Sequence, residues 1–231
     1  MPSLILDLGN VLAFFDHRRA CRQIAALGRP GTTEDAVFDL LFHQPLERQY
    51  DTGEITTTAF IAALRSAFGI TGMDDAIAEA WSDIFQPNGD LTAQLPALKT
   101  VVKTLVLASN TNELHFDRVT RMMPDVMALF DATVLSFQVG VRKPSARFFE
   151  RAIAATGGPG ADCVYVDDRP DFVTAARALG MRGCVYERGQ TPLVHGGRCE
   201  GGDDVAGAAG EHSDGEAVED GDRHGRHRPN D

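Results

Sequence analysis

Five short, continuously apolar runs do most to limit what this chain can fold into. They are Leu4-Ile5-Leu6, Leu105-Val106-Leu107, Thr133-Val134-Leu135, Val164-Tyr165-Val166 and Cys184-Val185-Tyr186. A strand that faces water on one side alternates apolar and polar residues. An unbroken run of this length instead fits a parallel sheet covered on both faces. Helical stretches lie between the later runs. Residues 147–155 have helical periodicity, with Pro144 near the start and Gly157-Gly158 beyond the end. Residues 172–179 form a second such stretch, closed by Gly180. This strand–helix–strand alternation predicts an α/β fold with a doubly wound, Rossmann-like parallel sheet.

About a hundred residues separate the first run from the second, far more than one crossover needs. Helical patterns occur there near 17–27, 34–41, 56–68 and 74–85. The expected organisation is an α/β core of residues 1–14 and 89–186 with an inserted α-helical cap domain over 15–88. Pro87-Asn88-Gly89 reads as the return hinge. Residues 98–103, ahead of the second strand, read as a linker without obvious turn residues. From 187 to 231 the composition changes: Phe, Trp, Tyr, Ile and Met disappear, and Gly, Asp, Glu and His take over. Such a segment cannot bury enough apolar surface to offset its ordering entropy, so a disordered, acidic, Gly-rich tail is expected. Its histidines His195, His212, His224 and His227 are irregularly spaced and read as part of a solvated tail.

The formal net charge of -11 argues against nucleic acid and against anionic membrane surfaces, because both are bound through Lys and Arg. No apolar run is long enough to span a bilayer. The first residues, Met-Pro-Ser-Leu-Ile-Leu-Asp, lack the basic and long apolar regions of a signal peptide. Cys21, Cys163, Cys184 and Cys199 form no CxxC pair. They read as reduced thiols of a cytoplasmic protein.

Ligands of open parallel sheets sit beyond the carboxyl ends of the strands. The residues at those ends are therefore the candidates for chemistry. Asp7 follows the first strand, in Leu6-Asp7-Leu8-Gly9-Asn10-Val11; Ser109-Asn110-Thr111-Asn112 follows the second. Arg142-Lys143-Pro144 comes shortly after the third, and Asp167-Asp168-Arg169-Pro170-Asp171 after the fourth. Each alone has an ordinary explanation as a turn or helix cap. Together, on this topology, they converge on one crevice. Carboxylates facing one point repel unless a cation sits among them, and hard oxygen ligands suit Mg²⁺. Asp7 is expected to bind the metal with one oxygen and attack with the other, giving a covalent acyl-phosphate. Asp167 is the expected second ligand, with Asp168 or Asp171 binding directly or through water. Ser109 and nearby backbone N–H groups hold phosphoryl oxygens, and Lys143 neutralises both phosphate and Asp7.

Asp7 with Asn10-Val11-Leu12, Ser109-Asn110-Thr111, Lys143-Pro144 and Asp167-Asp168…Asp171 resembles the four motifs of the haloacid-dehalogenase-like hydrolases over residues 1 to 186. A helical insertion just after the first motif is similar to the subgroup with a type 1 cap. The Asp-Leu-Gly-Asn-Val form is similar to small bacterial sugar-phosphate phosphatases, including those acting on glucose 1-phosphate. The resemblance implies a phosphatase with an aspartyl-phosphate intermediate, Mg²⁺, and substrate selection by the cap. It implies Asp7 and Lys143 as catalytic residues, and Asn10, Ser109, Asn110 and Lys143 on the substrate. It also implies metal ligation by Asp7, the backbone carbonyl of Gly9, Asp167, Asp168 and Asp171. The expected partner is a small phosphorylated metabolite, with no nucleic acid and no membrane, and the expected state a monomer or homodimer.

The sequence departs from that family at one place. Its phosphatases usually carry a second Asp two residues after the nucleophile, where this chain has Gly9. A positioned general acid or base contributes on the order of 10²–10⁴-fold. One reading is a slow phosphatase, or one that takes esters with better leaving groups such as anomeric phosphates; another is a substitute group, for which Asp16 and His17 are candidates. Two other readings stay open: a 2-haloacid dehalogenase, whose halide needs no proton, and a non-catalytic protein that binds a phosphorylated ligand or a partner. The first expects a cap arginine, with Arg18, Arg19 and Arg22 available, but leaves the aspartate cluster unexplained. The second is opposed by Asp7, Ser109, Lys143 and Asp167 all being present. A dehydrogenase reading fares worse, because no Gly-x-Gly-x-x-Gly follows the first strand. Residues expected near the site from the insertion and its approach are Phe14, Phe15, His43, Gln44, Arg48 and Tyr50.

Overall fold

The computed structural model describes residues 1–189. All but the first three residues of the expected tail, with its four histidines and Cys199, lie outside the described residues. Seven strands occur among the described residues: β1 (Ser3–Leu6), β2 (Ala13–Phe15), β3 (Phe85–Pro87), β4 (Leu105–Ser109), β5 (Ala132–Leu135), β6 (Cys163–Asp167) and β7 (Arg182–Val185). Five of them form one parallel sheet in the order β5-β4-β1-β6-β7. Each expected apolar run is a strand of this sheet, the last shifted toward its N-terminus so that Tyr186 falls beyond β7.

The central strand shows why the runs are unbroken. Ile5 pairs with Val106 on one side and Tyr165 on the other. Successive side chains of β1 point to opposite faces, so both faces must be apolar. Leu4 and Leu6 join Leu91, Leu95, Leu107 and Val119 in one layer. Ile5 joins Val106, Phe148, Phe149 and Tyr165 in the other. The covering helices are Leu95–Val101 and Glu113–Met122 on the first face, and Ala146–Ala155 and Pro170–Ala178 on the second. The stretch 98–103, expected as a linker, is mostly the Leu95–Val101 helix, which Pro96 opens. From β1 the chain moves outward through β4 and β5, then returns to β6 on the other side of β1. That reversal opens a crevice at the carboxyl end of β1, where a doubly wound sheet binds its ligand.

The segment between β1 and β4 leaves and rejoins the sheet through a two-stranded antiparallel ribbon, β2 with β3, in which Phe15 faces Phe85. Beyond the ribbon, helices pack around a separate cluster of Ile24, Leu41, Phe60, Leu64, Ile77 and Trp81. Helices stand at His17–Leu27 and Thr57–Phe68, where periodicity places them. Thr56 caps the second, its hydroxyl accepting from the Ala59 N–H at 3.2 Å. Three details differ. The helix expected over 34–41 is α-helical at Glu34–Phe38 and continues as a π-turn, Asp39–His43. The helix from Asp74 stops at Ser82, and Phe85 pairs as a strand. A short helix, Leu46–Asp51, carries no pattern long enough to be read from sequence.

The insertion is closely docked on the core. Trp81 donates to Asn112 at 3.3 Å, and Asn112 donates to Asp51 at 2.9 Å. Arg118 bridges Glu79 and Asp83 at 2.8 and 2.6 Å. Asn88, at the return, is buried and donates to the Val11 carbonyl and the Tyr186 hydroxyl. Cys21 and Cys163 are buried free thiols. Cys184 departs from the reduced state expected for it and is disulfide-bonded, a pairing that spacing alone does not reveal. No helix among the described residues is long and apolar enough to cross a membrane.

Candidate active site

Asp7 stands directly after β1, its N–H held by the Val166 carbonyl of β6 at 3.0 Å. The chain then turns sharply. Leu12 and Ala13 both donate back to the Leu8 carbonyl, and Asn10 adopts φ 56. This turn aims the Asn10 amide at Asp168, to which it donates at 3.0 Å. Lys143 arrives from the loop beyond the short Ser136–Val139 helix that follows β5, and is buried, its ammonium donating to Asp7 Oδ1 and Asp167 Oδ2, both at 2.7 Å. A weaker bond reaches the Ala108 carbonyl at 3.2 Å. Two groups hold Asp167 in place: the Arg169 N–H donates to Oδ1 at 2.9 Å, and the Tyr165 hydroxyl donates to Oδ2.

The electrostatics follow from this packing. Burial pushes the Asp7 carboxyl up to about 7, Lys143 opposing and Asp167 reinforcing the shift. Burial also opposes the charge on Lys143, but Asp7 and Asp167 outweigh it and hold the ammonium above its ordinary value. Asp168 is raised, mainly by burial. One ammonium thus serves two buried carboxylates, with a third beside them. Ligand oxygens of Asp7, Asp167 and Asp168 lie within 4.8 Å of one another. An all-oxygen set of this kind fits a hard divalent cation such as Mg²⁺.

Asp171 is not brought into this group. It is exposed on the first turn of the Pro170–Ala178 helix and forms a two-point pair with Arg169 at 3.0 and 2.7 Å. A helix start turns its side chains away from the strand end within a few residues, whereas Asp168 still belongs to the loop. Asn110 is brought to the site in a positioning role. Its side chain exchanges two hydrogen bonds with the Lys143 backbone, 2.8 and 3.1 Å long, and so fixes where the lysine starts. Ser109 is buried at the end of β4 and lines the cavity. Ser136, unforeseen from sequence, pins the same loop by accepting from Thr111 N–H and donating to Thr111 O, both at 2.9 Å.

A cavity of about 220 Å³ opens over Asp7, lined also by Gly9, Asn10, Ser109, Lys143 and Asp168. Its outer wall comes from the ribbon and the insertion. A Cβ on Gly9 would stand 2.8 Å from Phe15 Cε1, so this ring fills the place a side chain at position 9 would take. His17 packs on the same ring, centroids 4.7 Å apart, and stacks on Phe42 at 4.9 Å. Of the residues expected from the insertion and its approach, Phe15 lines the cavity; Phe14, His43, Gln44, Arg48 and Tyr50 do not. Instead Glu47 and Asp51 face it, with Arg142. These two acids lie one helical turn apart on the Leu46–Asp51 helix, which points Arg48 outward to Glu54. Arg142 bonds Glu47 at 3.0 Å and reaches Asp51 at 3.4 Å. Burial, then the Glu47 carboxylate, raises Asp51 well above the usual carboxyl range.

Two of the other expectations separate cleanly. Asp16 is exposed and paired with Arg22, while His17 faces the cavity. Arg18, Arg19 and Arg22 are surface residues paired with acids, so none is presented to the cavity. His115, missed in the sequence because it lies inside a helix, also lines the wall, stacked on Trp81 at 4.5 Å. Both of its ring nitrogens are engaged, with Asn112 and with the Trp81 carbonyl at 3.1 Å each. Burial depresses it to about 3, so it stays neutral.

Known proteins resemble this chain in sequence or in fold. The chain is 27% identical over 197 residues to the drimenol cyclase drtB of Aspergillus calidoustus, covering 80% of this chain and 34% of that protein. It therefore spans about a third of that relative's length. It is 27% identical over 136 residues to the sesquiterpene phosphatase astK of Aspergillus oryzae, covering 58% of this chain and 69% of the relative. Among solved structures, a HAD family enzyme of Bacteroides thetaiotaomicron in complex with magnesium and inorganic phosphate superposes with a TM-score of 0.73. That match has 23% identity and covers 82% of this chain and 96% of the other. The family model for haloacid dehalogenase-like hydrolases matches residues 5–180, and with Asp7, Lys143 and Asp167 joined at the carboxyl ends of its sheet, this chain belongs to that family.

Proposed function

We propose that this hydrolase is a phosphatase that cleaves a small phosphate monoester, such as a sugar phosphate, through a covalent phosphate on Asp7. The observation that carries this reading is the joining of Asp7 to Asp167 by one buried ammonium, with Asp168 close enough to share a cation. Asp7, Asp167 and Asp168 would hold Mg²⁺, with the Gly9 carbonyl. Bound there, Mg²⁺ neutralises the carboxylates and the incoming phosphate. Lys143 favours the ionised form of Asp7 against the burial that raises it, and balances charge on the transferring group. Ser109 and the adjoining backbone orient the phosphoryl oxygens. The phosphatase name of one relative and the magnesium and phosphate bound by the solved neighbour support this choice.

In this reading the helical segment of residues 15–88 acts as a cap that excludes water and selects the alcohol portion of the substrate. Phe15, Phe85 and Arg142 would meet that portion. The protein would work in the cytoplasm as a monomer or homodimer on a small phosphorylated metabolite. Gly9 is the observation that favours a halide-releasing reaction instead. Against that reading stands the aspartate cluster, which a metal-free dehalogenase would leave without a task.

The test is release of inorganic phosphate from a panel of sugar phosphates, prenyl phosphates and aryl phosphates, with Mg²⁺ and with EDTA. Magnesium-dependent release that vanishes in Asp7→Asn is the expected result. No release from any ester by folded protein would overturn the proposal, and chloride release from 2-haloacids would then identify the dehalogenase.

A further inference from the structure

We infer that His17 is the base that activates water for hydrolysis of the phosphorylated Asp7, in the role a second carboxylate at position 9 would otherwise fill. The inference rests on the aspartyl-phosphate reading above and names a residue for its second half. Three observations carry it.

The first is spatial. Gly9 has no side chain, and the Phe15 ring edge occupies the space beside it. His17 packs on that ring, centroids 4.7 Å apart, and lines the same cavity as Asp7. The second is its freedom to act. Among the described residues, no hydrogen bond reaches either ring nitrogen of His17, whereas both nitrogens of His115 are engaged. The third is the condition of the other titratable groups around the cavity. Asp7 and Lys143 are bonded to each other, Asp168 accepts from Asn10, Glu47 and Asp51 are tied to Arg142, and Arg169 is tied to Asp171. His17 is left as the lining titratable side chain with no hydrogen bond or ion pair among the described residues. Its packing agrees: burial holds it below the ordinary histidine value, with Glu47 opposing, so the ring is neutral near pH 7.

The step balances. The water oxygen forms a bond to phosphorus as the bond from phosphorus to the Asp7 oxygen breaks, and the electron pair returns to the carboxylate. The water proton passes to a ring nitrogen of His17 and from there to solvent or the departed alkoxide. The first step, attack by Asp7, needs no proton from His17 when the leaving group is good.

The experiment is rapid-quench hydrolysis of 4-nitrophenyl phosphate with Mg²⁺. Wild type should give a burst of nitrophenolate and steady turnover. His17→Phe keeps the ring packing and removes both nitrogens; His17→Ala leaves a hole for added imidazole. Both should keep the burst, lose about 10²-fold in steady turnover, and accumulate phosphorylated protein by intact mass. Imidazole should restore part of the His17→Ala loss. A wild-type burst with unchanged turnover in both variants would overturn this inference alone. Variants that lose the burst together with turnover would also overturn it. Absence of any wild-type phosphoenzyme would overturn the aspartyl-phosphate reading, and this inference with it.

Discussion

Lys143 Nζ donates to Asp7 Oδ1 over 2.7 Å, with both groups buried. The same ammonium holds Asp167, so its removal leaves two buried carboxylates facing each other. Lys143→Ala is expected to lower turnover by about 10²–10³-fold, the typical cost of losing one preorganised donor. It should also destabilise the fold by about 3 kcal/mol, as when one partner of a buried ion pair is removed. Steady-state kinetics and urea unfolding check the two halves separately, and a variant of wild-type activity would contradict the assignment.

Metal binding should distinguish two neighbouring aspartates. Asp168 lies with Asp7 and Asp167, whereas Asp171 is held on the surface by Arg169. Mg²⁺ at about a hundred times its Kd should stabilise wild type by about 2.7 kcal/mol, read as a rise in the unfolding midpoint that EDTA reverses. Asp168→Asn should lose most of that rise and Asp171→Asn should keep it. The opposite pattern would place the ligand on the helix and not on the loop.

Docking of the insertion depends on a close backbone approach at Gly53. Its φ is +68, and a Cβ there would stand 2.3 Å from the Phe137 carbonyl oxygen. A rigid carbonyl cannot swing aside as a side chain can. Gly53→Ala should therefore cost about 3 kcal/mol, combining a left-handed backbone penalty with overpacking. Gly31, at φ +90 with open space around it, is the control, and Gly31→Ala should cost about 1 kcal/mol. Equal losses in chemical denaturation would mean that the approach to Phe137 carries no strain.

Stability should fall on mild acidification because of His115. Its folded value is depressed to about 3 by burial and by His17, while an unfolded histidine titrates near 6.5. Below that pH the unfolded chain binds a proton that the folded one refuses, so stability present at neutral pH is lost as pH falls from about 6.5 toward 3. Between pH 7 and 5 the loss from this group is about 2 kcal/mol. His115→Phe keeps the stack on Trp81 and should flatten the dependence, though it starts from a lower stability. An unchanged slope in the variant would assign the acid sensitivity elsewhere.

Much of this was legible in the chain itself. The unbroken runs through Ile5, Val106 and Tyr165 could be satisfied by a sheet buried on both faces and by little else. Because ligands gather at the carboxyl ends of such strands, Asp7, Ser109, Lys143 and Asp167 could be named from position alone. The missing side chain at Gly9 was equally plain. Local rules suffice here, since a strand and the residue that ends it are neighbours in sequence.

The tertiary structure decided what depends on distant parts of the chain meeting. Sequence pointed to Arg48 and Tyr50, but the docked Leu46–Asp51 helix turns Glu47 and Asp51 to the cavity. A helix has several faces, and which one meets the site is set by what it packs against. Asp168 and Asp171 are equally plausible as letters and differ by the geometry of a helix start. The amide of Asn110 is engaged by Lys143, which lies 33 residues further along the chain. Phe15 fills the space beside Gly9 because β2 pairs with β3, joining segments that the whole helical insertion separates. The strands and the residues at their ends were thus set by neighbours in sequence, and the walls of the cavity by packing between residues far apart in the sequence.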